Sequence, residues 1–217
     1  MATEFRHAFI FDLDGVITDT AALHLAAWHE LALALGLPFN NAMGERLKGV
    51  SRMESLELIL GARAGQYSNE QKMRLADRKN AAYVRLLARI TSADLLPGAV
   101  EALKAVRASG LGLALASASK NALAVLDRLQ ITGLFDHVVD ANQVRHGKPD
   151  PEIFLRAAQA LGVAPGRCVG VEDAVAGVQA IRSAGMFAVG VGSRSVLFEA
   201  DRVIPDLTHF HPTDYLR

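Results

Sequence analysis

The sequence predicts an α/β fold: a doubly wound parallel sheet whose first strand is followed by a helical insert. Three observations carry that expectation. Short apolar runs recur along the chain, each bounded by Gly, Asp or Ser, as in strands covered on both faces. Stretches with helical period, several of them ending in Gly, lie between those runs. Residues 18–92 break the alternation, holding helical patterns and no convincing strand.

The elements follow in order. "HAFIF" (7–11) is the first strand. "ALHLAAWHELALALG", "MESLELILG" and "NEQKMRLADRKNAAYVRLLARI" are the helices of the insert. The sheet resumes after "LLPGAV", with a helix over "PGAVEALKAVRASG" that starts near Pro97 and stops at Gly110. "GLALAS" (112–117) is the second strand and "NALAVLDRLQITG" its helix. "HVVDA" (137–141) is the third strand. "DPEIFLRAAQALG" follows as a helix, with Asp150 as N-cap, Pro151 at the first helical position and Gly162 as stop. "CVGVE" (168–172), the helix "AVAGVQAIRSAG" and "FAVGV" (187–191) complete five strands, and a polar tail follows. The expected division is a core of residues 1–17 and 93–217 and a helical cap of residues 18–92. Ligands of open α/β sheets bind outside the carboxyl ends of the strands, so a cap inserted there covers the site.

Composition narrows the classes of function. The 217 residues are 51% hydrophobic, enough for one sizeable core with a second lobe. Lys plus Arg and Asp plus Glu each number 23, so no net field draws the protein to nucleic acid or an anionic membrane. Cys168 is the only cysteine, which rules out an internal disulfide and fits a reducing compartment. The segment "MATEFRHAFIFDLDG" lacks the pattern of a secretory leader, and no apolar run approaches a membrane span. The expectation is a cytoplasmic monomer acting on a small molecule.

The chemistry lies where strands end. "FIFDLDGVITDT" sends a buried strand into Asp12 and Asp14. Two like charges there need compensation. "SASKN" (117–121) follows the second strand, "GKPDP" (147–151) precedes a helix after the third, and Glu172 and Asp173 close the fourth. The carboxylate surplus calls for a hard divalent cation such as Mg2+, held by Asp12, Asp173 and the Asp14 backbone carbonyl, with Glu172 behind them. Ser117 and Ser119 sit where a strand gives way to a helix, which favours an anion, and Lys148 adds a full positive charge. A phosphoryl group clamped there can be attacked by Asp12 to give an aspartyl-phosphate. Asp14, roughly 6–7 Å further along an extended chain, is placed to act as general acid and base. Thr18 orients Asp14 and marks a hinge into the insert. Each piece alone has an ordinary reading, as turn, cap or surface residue; their convergence at one sheet edge gives the prediction its weight.

The cap carries its own signal. "SRME" (51–54) is a capping box, with Ser51 as N-cap and Glu54 at the third position. It places Arg52 in the first turn of a helix, where a cation opposes the helix dipole unless an anion accompanies it. Arg52 with Ser119, Lys120 and Asn121 makes a second anion site. Ser55, Leu56, Ile59 and Leu60 are read as cap core. His24 stands four residues before Trp28 on one helical face, by default as a packing histidine.

"FIFDLDGVITDT", "SASKN", "GKPDP" and "VEDAVAG" together resemble the four motifs of the haloacid dehalogenase superfamily of phosphotransferases, built on a Rossmann-like core. "LKGVSR" and "RKN" in the insert, with "SASKN" in the core, narrow the resemblance to a sugar-phosphate mutase branch, and it spans about residues 7–209. It implies that Lys48, Gly49 and Val50 form a loop that reads the sugar, and that Lys79 lies near it. It implies that Ala118 lies in the substrate loop between Ser117 and Ser119, and that His24 hydrogen-bonds near Asp14 and couples cap closure to catalysis. The implied reaction interconverts β-glucose 1-phosphate and glucose 6-phosphate, with Mg2+ and β-glucose 1,6-bisphosphate as primer and intermediate. Two other readings stand beside it: a sugar-phosphate phosphatase on the same scaffold, and a non-catalytic phosphate-sensing receiver. Inorganic phosphate release separates the first, and stable binding without turnover the second. His146, two residues before Lys148, is assigned no role.

Overall fold

Four apolar residues, Ala8–Phe11, form the first strand, and none is exposed. The structure, a computed structural model, describes residues 7–47 and 49–216. In chain order the elements are β1 (Ala8–Phe11), α1 (Ala21–Ala34), α2 (Asn41–Leu47), α3 (Arg52–Leu60), α4 (Asn69–Leu87), α5 (Ala99–Ala108), β2 (Gly112–Leu115), α6 (Ala122–Leu129), β3 (His137–Val138), α7 (Glu152–Leu161), β4 (Cys168–Glu172), α8 (Val175–Ser183), β5 (Phe187–Val191) and β6 (Arg202–Ile204). Short 3-10 turns join several of them.

All six strands are parallel, in the order β3-β2-β1-β4-β5-β6. The chain winds outward from β1 to β3, crosses back to lay β4 beside β1, and winds out the other way. The carboxyl ends of β1 and β4 therefore flank the point where the winding reverses, the usual place for a ligand in such sheets. Side-chain alternation along β1 feeds two cores: Phe9 and Phe11 face one layer, Ala8 and Ile10 the other. Phe9 and Phe11 pack edge-on to Phe210, both with ring centroids 5.4 Å away. Burying each of these rings stabilises the fold by on the order of 2–3 kcal/mol.

The helices α1 to α4 share a separate apolar cluster that includes Trp28, Leu31, Leu56, Ile59, Leu60 and Ala76. Both capped helices carry full boxes: Ser51 with Glu54 on α3, and Ser68 with Gln71 on α4. The chain leaves the sheet and returns side by side. The Leu96 N–H donates to the Ile17 carbonyl at 2.9 Å, and the Thr18 hydroxyl donates to the Asp94 carbonyl at 2.8 Å. Among the described residues, no helix is long and apolar enough to cross a membrane.

Three details differ from the sequence reading. A sixth strand, Arg202–Ile204, adds to the β5 edge in what reads as a polar tail; three residues are too few to show a period. β3 is only His137–Val138, because Asp140 turns the chain by accepting from the Asn142 N–H at 2.9 Å. α7 begins at Glu152 with Pro151 at the cap position, although the Asp150 carboxylate still accepts the Glu152 N–H at 2.9 Å.

Candidate active site

The site grows from the end of β1. The Asp12 N–H donates to the Val171 carbonyl at 3.0 Å, so strand register holds Asp12 one residue past the strand. Its carboxylate points into a buried corner shared with β4. There Lys148 extends between two acids, with its Nζ 2.5 Å from Asp12 Oδ1 and 2.6 Å from Glu172 Oε1. Burial works against the Lys148 charge, but the two carboxylates outweigh it and hold the ammonium well above the ordinary lysine range. Burial pushes Asp12 up to about 6, against the lowering pull of Lys148. Burial and the Asp12 charge push Asp14 up to about 8.

Asp12, Glu172 and Asp173 bring carboxylate oxygens within 4.8 Å of one another. A set of hard oxygen donors this close suits a small divalent cation. Both Glu172 oxygens are already engaged, one by Lys148 and the other by the Ala174 N–H at 2.8 Å. Glu172 therefore holds Lys148 in place. Two glycines make the approach possible. A Cβ on Gly15, which holds φ at +82°, would lie 2.1 Å from Asp173 Oδ2. A Cβ on Gly177 would lie 1.9 Å from Glu172 Oε1.

A cavity of about 70 Å³ lies over this corner, between sheet edge and helices. The core side contributes Asp12, Asp14, Ser117, Ala118, Ser119 and Lys120; the helical side contributes His24, Gly49, Val50, Arg52 and Lys79. Ser55, expected as packing, also reaches the cavity, while Leu56, Ile59 and Leu60 are buried behind it. The serine loop is held by its own turns: the Ser119 N–H donates to Ser117 Oγ at 3.1 Å and the Asn121 N–H to Ser119 Oγ at 3.3 Å.

On the helical wall, Lys79 is 3% exposed. Its ammonium lies 2.6 Å from His24 Nδ1, and 4.7 Å and 5.1 Å above the rings of Trp28 and Tyr83. Burial, aided by the charge of Arg52, lowers Lys79 to about 7. Burial, with Lys79 and Arg52, likewise holds His24 well below its usual range. A neutral imidazole accepting from Lys79 at Nδ1 turns Nε2–H toward Ser119 Oγ, 3.4 Å away. Arg52 donates to Asn80 Oδ1 at 2.9 Å, and Asn121 donates to the same oxygen at 2.9 Å.

Several sequence expectations shift in detail. The hydroxyl on Asp14 belongs to Thr20, which donates to Asp14 Oδ1. Thr18 lies 0% exposed at the crossover between the two connecting segments and bonds to the Asp94 carbonyl instead. Thr20 stands at the N-cap of α1 yet makes no side-chain cap bond, because its hydroxyl serves Asp14. His24, expected to hydrogen-bond near Asp14, bonds to Lys79 and Ser119, and Lys79 in turn feels the Asp14 charge. Asn121 meets Asn80 beside the cavity instead of lining it. Lys48 lies outside the described residues. The His146 N–H donates to Glu152 Oε2 at 2.9 Å, which fixes the loop ahead of Lys148. Sequence reasoning missed Thr20 and Asn80; the one signal for Asn80 was its place in "RKN".

Fold and cavity define a capped α/β enzyme whose reactive edge combines buried carboxylates with a buried lysine. The chain belongs to the haloacid dehalogenase-like hydrolase family, whose model matches residues 7–185. It is 49% identical over 199 residues to a β-phosphoglucomutase of Bacillus subtilis (strain 168), covering 91% of this chain and 88% of that one. It is 37% identical over 182 residues to a phosphorylated carbohydrates phosphatase of Thermotoga maritima, covering 82% of each. The crystal structure of a β-phosphoglucomutase from Clostridium difficile matches with a TM-score of 0.94 at 46% identity, over 96% of this chain and 95% of that one.

Proposed function

We propose that this protein is a β-phosphoglucomutase, interconverting β-D-glucose 1-phosphate and D-glucose 6-phosphate. The observation that carries the reading is a single cavity lined by Asp12, itself paired with Lys148, and by Arg52. A sugar bisphosphate needs an anion site at each end, and a phosphatase acting on one ester needs only one. The 49% identity to a β-phosphoglucomutase supports the same conclusion.

In this reading residues 18–92 are a cap and the rest is the catalytic core. Phosphorylated Asp12 presents its phosphoryl group to the 6-hydroxyl of β-glucose 1-phosphate. The hydroxyl oxygen bonds to phosphorus, Asp14 takes its proton, and the Asp12 O–P bond breaks with its electron pair returning to the carboxylate. The resulting β-glucose 1,6-bisphosphate turns around in the site. Asp12 then attacks the 1-phosphoryl group, and Asp14 returns the proton to the departing oxygen, giving glucose 6-phosphate. The raised affinity of Asp14 for a proton suits it to both halves.

Lys148 and Ser117 hold the transferring phosphoryl group, and Thr20 aims Asp14. Arg52, Ser119, Lys120 and Asn121 hold the distal phosphate. Gly49, Val50, His24 and Lys79 face the sugar. Mg2+, held by Asp12, Asp173 and the Asp14 carbonyl, would withdraw charge from the phosphoryl oxygens. The enzyme works as a cytoplasmic monomer on a small sugar phosphate, without nucleic acid or membrane.

The test is a coupled assay with β- and α-glucose 1-phosphate, with and without bisphosphate primer, while inorganic phosphate is measured. Expected is primer-dependent glucose 6-phosphate formation from the β anomer, with little phosphate released. Asp12→Asn lowers that turnover by at least about a thousandfold; wild-type rates in this variant would refute the nucleophile. Stoichiometric phosphate release would favour a phosphatase, the reading that similarity to the Thermotoga maritima enzyme keeps open.

A further inference from the structure

We propose that Asn80 is a positioning residue of the distal-phosphate site, a neutral placeholder whose amide oxygen gathers the donors that the phosphate later takes. The inference rests on the mutase reading above. Asn80 Oδ1 accepts two hydrogen bonds of 2.9 Å, from Arg52 Nη2 and from Asn121 Nδ2. Arg52 and Asn80 come from α3 and α4, and Asn121 from the core segment ahead of α6. One oxygen thus joins the helical lobe to the core beside the cavity that Arg52 lines.

The choice of an amide has a physical reason. Burial leaves Arg52 short of water, so in the absence of ligand its guanidinium needs an acceptor. A carboxylate in that position would bind it more tightly and put a negative charge where a phosphate must arrive. Asp77, one turn before Asn80 on α4, acts on Arg52 electrostatically, yet the Nη2 bond goes to the uncharged neighbour. A neutral acceptor holds Arg52 and Asn121 converged, then yields them to a dianion whose charge-assisted bonds are stronger. Asn80 does not itself line the cavity, so it acts through the two donors.

The test compares wild type with Asn80→Ala, Asn80→Asp and Arg52→Ala. Glucose 6-phosphate is titrated calorimetrically in Mg2+, thermal unfolding is followed without ligand, and KM and kcat are measured separately. Asn80→Ala should weaken binding by about tenfold, the size of one lost hydrogen bond to a charged group. Asn80→Asp keeps the acceptor, so its ligand-free melting temperature should equal or exceed wild type. Its affinity should fall by about a hundredfold, through the added negative charge. Both effects should appear mainly in KM. In Asn80→Asp, stability and affinity moving in opposite directions is the signature; a fall in both together in that variant marks a structural residue and overturns the proposal. Wild-type affinity in an Asn80 variant, with Arg52→Ala impaired, overturns it too. Unchanged affinity in Arg52→Ala overturns the distal-phosphate reading beneath it. Should Asn80→Ala not fold, Asn80→Asp decides alone.

Discussion

The hydroxyl of Thr20 shows how much depends on one side chain. It leaves the N-cap of α1 without its usual bond and is spent on Asp14. Thr20→Val keeps the shape and removes the donor. Misaiming a general base by about 1 Å costs about a hundredfold, so kcat should fall ten- to a hundredfold with little change in melting temperature. Thr18→Val should behave in the opposite way. It strips the bond from the Thr18 hydroxyl to the Asp94 carbonyl, so stability falls while kcat is largely kept. Steady-state rates and thermal unfolding of the two variants separate the roles, and reversed behaviour would return the aiming role to Thr18. Sequence could not make this distinction. "GVITDT" offers two threonines two residues apart, and only the turn closed by the Gly15 N–H on the Thr18 carbonyl, at 2.8 Å, decides which one faces Asp14.

Helix termini carry the next level of control. The capping box on α3 fixes the first turn, and with it Arg52. Ser51→Ala should cost about 1 kcal/mol of stability. It should also raise KM for the sugar phosphate several-fold while leaving kcat nearly unchanged, because the frayed turn holds Arg52 less well. Steady-state kinetics and denaturant unfolding test both, and an unchanged KM would detach Arg52 from its cap. This box was legible, since "SRME" is a local pattern. So was the gathering of Asp12, Lys148 and Glu172 at one sheet edge, because strands buried on both faces stand out as apolar runs. Beyond its place in "RKN", Asn80 was not legible. Its partners lie 28 and 41 residues away, a separation that no local period records. β6 escaped for the opposite reason, being too brief to leave a pattern.

At the scale of the whole molecule, the buried Lys79 sets a conflict between stability and function. Its value falls from 10.5 to about 7 on folding. Between those values the unfolded chain binds the extra proton, so this lysine opposes folding. The penalty is full below about pH 7, shrinks as pH rises, and is gone above about 10.5. The groups that face it are His24, Tyr83, Arg52 and Asp14, and Trp28 covers its other side. Lys79→Met should therefore raise stability by about 1–2 kcal/mol near neutrality, with the gain fading toward pH 10, while sugar-phosphate affinity drops. Thermal unfolding of both proteins from pH 6 to 10 reads the difference; a gain that grows with pH would refute the assignment.

The ion pair between Asp12 and Lys148 joins residues 136 positions apart. A ribosome adding roughly 5–20 residues per second exposes the acid long before the base exists. For on the order of ten seconds the nascent carboxylate has no Lys148 to pair with, and β1, destined for the centre of the sheet, lacks β2 for most of that time and β4 for all of it. The catalytic corner cannot become whole until β4 and Asp173 have been made.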